Sequence, residues 1–483
     1  MLLDGRSLRC ADVEHIAWQQ ATVDVDPQAR QRVADARAAV LDVADRRPVY
    51  GLSTGVGANR AVAVDDDEMG GHGMRLLRSH AACTGPTEDD TVVRATLAIR
   101  LNQVLAGGSG IRPQVVDALS AALTADALPS LHRYGSLGTG DLSPLAELGL
   151  TLAGELPSRT GGVPPIRFAA GEALAFMSSS AVTLATATLA SGAAARMIEA
   201  SQVVAALSFL ALEGSDEAYA AAVHGARPHP GAVRVAGQLR RLLGATRPAS
   251  RIQDPFALRA IPQVNGAAVE ALDRVRDVID VEINAAVENP LVVPGTGDVP
   301  ADVYHHGQFH ATETASALDA ARPALASACA LSTGRLSALL EPDLTGLSVF
   351  LATGPAGSSG LLVLEYVAHD VLAEIQHAAA PVTTRTAVIS RGLEDHASFA
   401  TQGARLTAQL AEQMPIVLGC ELVAAVRALR AAPERLTDAP AREAFEAADT
   451  ALPADGSDRP HQEDIAAAVT LLPHLPDLVA GHS

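Results

Sequence analysis

Between residues 187 and 222 the chain meets almost no helix breaker, only Ala, Leu, Val and other residues that a helix accepts. Residues 264–288 and 311–340 read the same way, and in 361–378 Leu364, Val367, Val371 and Ile375 keep helical spacing. Segments this long exceed an ordinary globular helix, and a long apolar helix is stable in water only against others like it. These runs predict a bundle of long helices, and their high Ala content lets the helices approach closely. Aromatic residues make up only 3% of the chain and Ala and Leu dominate, which favours a mainly α fold over a sheet protein.

The remaining size and charge features bound the function. With 483 residues, 48% of them hydrophobic, the chain can build one very large domain or several ordinary ones. The pattern changes near residue 185. The expected division is a loop-rich N-terminal domain over 1–185, a long-helix bundle over 186–440 and a tail over 441–483. A formal charge of -19 disfavours nucleic acid and anionic membranes as partners. Cys10, Cys83, Cys329 and Cys420 are far apart and form no CxxC pair, so neither a disulfide framework nor a metal site is expected. The start of the chain lacks a basic-then-apolar leader, and no uninterrupted apolar run looks long enough for a bilayer, so a cytoplasmic location is the default expectation.

Before residue 172 the elements are shorter. Helices are expected near 27–45, over 88–106 and over 112–126, the last two split by Gly107-Gly108-Ser109-Gly110. Residues 48–60 are a Gly-rich loop. Residues 127–144 are another, with a helix restarting near Pro144. A short hairpin fits the Gly- and Pro-rich stretch 154–171. Asp455–Pro460 reads as a loop before a last short helix.

The loop Tyr134-Gly-Ser-Leu-Gly-Thr-Gly-Asp-Leu-Ser-Pro-Leu-Ala146 carries the strongest functional signal. It resembles the prosthetic-group loop of the histidine and phenylalanine ammonia-lyase family, G-S-V-G-A-S-G-D-L-A-P-L-A, shortened by one residue. Tyr50-Gly51-Leu52-Ser53-Thr54-Gly55-Val56-Gly57 resembles the family's Y-G-x-N-T-G-F-G. Gln253-Asp254-Pro255-Phe256-Ala257-Leu258-Arg259 through Gln263-Val264-Asn265-Gly266 resembles Q-D-x-Y-S-x-R-x-x-P-Q-V-x-G. Further matches are Ser79-His80-Ala81-Ala82, Glu288-Asn289-Pro290-Leu291, Gly307-Gln308-Phe309-His310-Ala311 and Glu394-Asp395-His396. The resemblance covers about residues 10–430. It implies a fumarase/aspartase-type long-helix bundle, a homotetramer with sites built from several subunits, and a small amino or carboxylic acid as substrate.

It also implies roles. Tyr50 falls on the family's general base; a phenol ordinarily titrates near 10 and has to be depressed to act at neutral pH. Arg259 falls on the bidentate carboxylate clamp. His80, Gln253, Phe309 and Glu394 fall on pocket-lining positions. Bland readings stand beside these: a packing Tyr, a surface ion pair for Arg259, and helix-end or exposed polar roles for His80 and Glu394.

Three positions depart from the family at the electrophile. Family members make a methylidene-imidazolone (MIO) by cyclising Ala-Ser-Gly; here the triad is Gly138-Thr139-Gly140. Either Thr139 stands for the Ser, and dehydration gives a more hindered electrophile, or Thr139 stands for the Ala and the Ser is missing, so that no MIO forms. A Gly-rich turn capped by Thr139 or Asp141 is the plain structural alternative. Ser178 replaces an Asn that contacts the electrophile, and Phe256 replaces a second Tyr. Three functions stay open: elimination without a normal MIO, an MIO-type histidine ammonia-lyase using Thr139, or a non-catalytic paralogue that binds a ligand or partner. Gly357-Ser358-Ser359-Gly360 reads as a capped loop before a helix.

Overall fold

The computed structural model describes residues 1–19, 21–64, 66–244 and 251–480. Its chain separates into two compact units, each assembled from non-consecutive segments.

The first unit comprises Met1–Leu189, Val275–Leu318 and Pro381–Arg405. Its helices start where local chemistry favours them. Pro27 opens Pro27–Ala44, and the Asp26 carboxylate caps that helix by accepting from the Ala29 N–H at 3.0 Å. Asp90–Leu105 is buried from Val93 to Leu105 and so shows no amphipathic period. Its polar residues are paired inside: Arg100 meets Glu288 at 2.9 Å and donates to the Ala175 and Phe176 carbonyls, and Asn102 donates to Ile283 O at 2.9 Å. Three two-stranded sheets complete the unit: Leu2–Leu3 parallel to Asp24–Val25, Thr84–Thr87 antiparallel to His132–Tyr134, and Leu291–Val293 antiparallel to Asp302–Tyr304. The second sheet fixes the chain just before Gly135, with Thr84 opposite Tyr134.

The second unit comprises Ala190–Arg274, Asp319–Ala380 and Leu406–Ser483. Leu207, Phe209, Leu325, Leu364 and Leu422 belong to its continuous apolar core. Inside that core Arg335 pairs with Glu421 at 2.6 and 2.9 Å, and the Ser208 and Ser332 hydroxyls complete the carboxylate's shell. A buried pair is tolerable when its remaining hydrogen-bonding capacity is filled in this way.

The long helices expected from the breaker-free runs are Ala181–Ala211, Ile261–Glu282, Thr312–Leu339 and Val363–Ala378. Two expectations need correction. Residues 154–171 form no hairpin; a single bridge joins Pro129 to Ser158, because five glycines and prolines from Gly161 to Gly171 leave little to pair. One stretch, Glu172–Ala211, is long and apolar enough to cross a membrane by composition, but 89% of its most apolar window is buried inside the fold. All four cysteines are free.

Candidate functional site

The Gly138 loop is a braced turn. Gly138 and Gly140 both have positive φ, +80° and +98°, a conformation that side chains resist. The Gly138 carbonyl accepts two hydrogen bonds, from Ser398 Oγ at 2.6 Å and from the Ala311 N–H at 3.1 Å. The Phe399 N–H donates to Leu137 O at 2.8 Å, and Gln402 Nε2 donates to Ser136 O at 2.9 Å. A Cβ on Gly138 would stand 2.2 Å from Ser398 Oγ and 2.6 Å from the Ala400 nitrogen. Thus an Ala, the family's residue before the Ser, has no room on this backbone. Asp141 begins the helix Leu142–Leu152, but its side chain does not cap it. The fully buried carboxylate instead accepts from Thr183 N at 2.8 Å and Thr183 Oγ1 at 2.9 Å, and burial pushes its pKa up. The Asp141 N–H donates to Ser179 O at 2.6 Å, which ties the residue after Ser178 to the end of the loop.

Ring closure to an MIO joins the third residue's nitrogen to the first residue's carbonyl carbon and expels that carbonyl oxygen as water. With Thr139 in the middle, the expelled oxygen is that of Gly138. The buried Ser398 hydroxyl and the Ala311 N–H would then both lose their acceptor, a penalty of about 1–3 kcal/mol for each buried group left unpaired.

Tyr50 sits in its Gly-rich loop with its hydroxyl accepting from the Gly57 N–H at 2.7 Å. Gly51 needs its positive φ there, and a Cβ on it would meet Leu174 Cδ2 at 2.2 Å. Ser53, in place of the usual Asn, turns inward: its Oγ accepts from Val49 N at 2.9 Å. The Ser390–Gly392 turn packs on this loop, with Ser390 Oγ 2.8 Å from where a Gly57 Cβ would be. Glu394 follows in a two-residue bridge with Ile389. Tyr50 is not depressed, contrary to what a base acting at neutral pH was expected to need. Burial raises its pKa above the ordinary 10; the Gly57 N–H pulls it back in part, the Glu394 charge raises it further, and Arg60 lowers it slightly. The His305 ring meets Tyr50 edge-on at 6.3 Å.

Phe309 is half-buried next to a pair that sequence reasoning quoted but gave no role. His310 Nε2 and His396 Nδ1 are 3.0 Å apart, their rings 5.1 Å apart, and Thr312 Oγ1 lies 2.6 Å from His310 Nδ1. The two histidines are 86 residues apart, so no local pattern announces the contact. His80 closes its own helix: its Nδ1 lies 2.8 Å from Leu76 O, a helix-end role.

The second unit carries Gln253, Phe256 and Arg259. Arg259 Nη1 donates to Gln253 Oε1 at 2.7 Å, and the guanidinium lies 4.4 Å from the centre of the Phe256 ring. Its Nε finds no hydrogen-bond partner among the described residues. Phe256 is 71% exposed and Ile252 98%. An Arg held planar by one amide and one ring, with donors to spare, suits a carboxylate. The Gly357–Gly360 loop is tied down instead: Asp458 accepts from the Ser359 and Gly360 N–H groups at 2.8 and 2.9 Å. Among the described residues no cluster of three or more His, Cys, Asp or Glu could hold a metal ion.

The aromatic amino acid lyase family model matches residues 8–450. Histidine ammonia-lyase of Sorangium cellulosum is 34% identical, with 98% of this chain and 97% of that protein aligned. Among solved structures, histidine ammonia-lyase from Trypanosoma cruzi is 28% identical with a TM-score of 0.91, covering 100% of this chain and 95% of that one. Tyrosine aminomutase from Streptomyces globisporus is 27% identical with a TM-score of 0.93, covering 100% and 99%. A match over nearly the whole length, on a mainly helical fold of the histidine and phenylalanine ammonia-lyase type, means that this chain belongs to the aromatic amino acid lyase family and is a lyase.

Proposed function

We propose that the chain eliminates a group across the α and β carbons of a small amino acid or related carboxylic acid, as a homotetramer, without cyclising Gly138-Thr139-Gly140. The observation that carries this is the Gly138 carbonyl, held by Ser398 and Ala311, on a residue where a Cβ would clash with Ser398 and Ala400. These residues fit an open loop and do not fit the cyclised group. Tyr50, once deprotonated, takes the β-proton; the C–H pair becomes the new double bond, and the leaving group departs with the pair of its own bond. The Gly57 N–H stabilises the phenolate. Arg259 receives the substrate carboxylate with Gln253 beside it, while Ser178, Phe256, Phe309 and Glu394 shape the pocket. Without an electrophile, the substrate must bring a more acidic β-proton or a better leaving group than the ammonia of an ordinary amino acid.

The mass of the proteolytic peptide spanning 131–150 tests this. The encoded mass is the expected result; a loss of two waters would overturn it. The second reading, a histidine ammonia-lyase in which Thr139 dehydrates, draws on the names of its relatives and on Glu394. Release of ammonia from L-histidine together with the lighter peptide would establish it.

A further inference from the structure

We infer that the hydrogen-bonded pair His310–His396 is a positioning device that clamps the Gly138 loop and releases it in acid. The carbonyl of Gly138 is held from two segments that meet nowhere near each other in sequence. Ala311, next to His310, donates its N–H from one side; Ser398, two residues after His396, donates its hydroxyl from the other. The imidazole pair joins those same two segments at 3.0 Å, and Thr312 anchors the far nitrogen of His310 at 2.6 Å. One contact thus closes the bracket around the loop.

The bracket needs a proton count. Two ring nitrogens 3.0 Å apart can share one proton: one donates and the other must accept with its lone pair. When both rings are imidazolium, both facing nitrogens carry hydrogen and the charges repel, so the contact cannot persist. Burial and the neighbouring His396 both lower the affinity of His310 for its proton. The direction is therefore fixed: the pair is intact at neutral and alkaline pH and is broken as pH falls through its second protonation. Other titratable groups on the surrounding elements are His305 and His306 before Phe309, Glu313 in the first turn of the following helix, and Glu394 and Asp395 beside His396.

The device serves the site proposed above, but its test does not depend on turnover. Hydrogen exchange of the full-length protein is followed between pH 8 and pH 5 in peptides that report the Ala311 and Phe399 N–H groups, after correction for the chemical exchange rate. The expected result is that protection of both drops at least about tenfold in acid. In His396→Gln, whose amide can still bridge to His310 but cannot become charged, protection stays level across that range. An equal acid response in His396→Gln, or no response in the wild type, would overturn the proposal. Should His396→Gln fail to fold, His310→Gln must give the same level profile from the other side of the pair; an acid response there overturns it equally.

Discussion

The Gly138 loop and the Arg259 segment are the two parts of the molecule most directly implicated in chemistry, and they are built in opposite ways. The first is buried backbone, held by hydrogen bonds from Ala311, Ser398, Phe399 and Gln402, with no room for one extra carbon at Gly138. The second is a short turn of helix, Phe256–Arg259, whose Phe ring stands in solvent and whose Arg keeps donors in reserve. A loop that has to hold a shape invests in bonds within the protein. The segment proposed to grasp the substrate leaves part of its bonding capacity open.

That contrast can be broken by mutation. The largest expected effect falls on the proposed base: Tyr50→Phe should lower turnover by about 100- to 10,000-fold on any acid the wild type accepts, read from absorbance of the unsaturated product, with the fold intact. Unchanged turnover would remove Tyr50 from the mechanism. Next is Gly138→Ala. The positive φ alone costs roughly 1–2 kcal/mol, and the clash with Ala400 adds to it, so the denaturation midpoint should drop clearly. A neutral result would mean that the loop is not braced.

Arg259→Lys should change stability by no more than about 1 kcal/mol, since the half-buried side chain makes a single side-chain hydrogen bond among the described residues, to Gln253. It should raise KM by roughly tenfold or more through loss of the planar fork. Equal damage to stability and KM would make Arg259 a structural residue and erase the contrast. The smallest effect is a shift in pH dependence. Glu394 raises the Tyr50 pKa, so Glu394→Gln should lower it and move the rising limb of the rate profile to lower pH. A limb that moves upward would refute that assignment.

Much of this was legible in the sequence, for reasons that individual elements make plain. Ala181–Ala211 and Thr312–Leu339 announce themselves because length without breakers leaves a chain few alternatives to a helix. The Tyr50, Gly138 and Arg259 segments were legible as motifs. Asp66–His80 was not. It contains Gly70, Gly71 and Gly73, which weigh against a helix, yet it forms where neighbours come close: a Cβ on Gly73 would stand 3.3 Å from Ala173 Cβ. Local propensity lost to packing there. Asp141 was read as a cap, but its carboxylate bonds to Thr183, 42 residues away. The His310–His396 contact was invisible for the same reason, being made by two segments that only the fold brings together. The raised pKa of Tyr50 was likewise beyond the sequence, because it depends on burial and on the distance to Glu394.

The Gly138 oxygen has a consequence in time. The family's electrophile is made by the protein upon itself, after folding, and a newly made chain is inert until that reaction has run. In this chain the atom that such a reaction would discard is the one on which Ser398 and Ala311 converge. The bond that completes the fold and the reaction that would arm the site compete for one oxygen. On the open-loop reading proposed above, this chain has no maturation to wait for and is finished when it is folded.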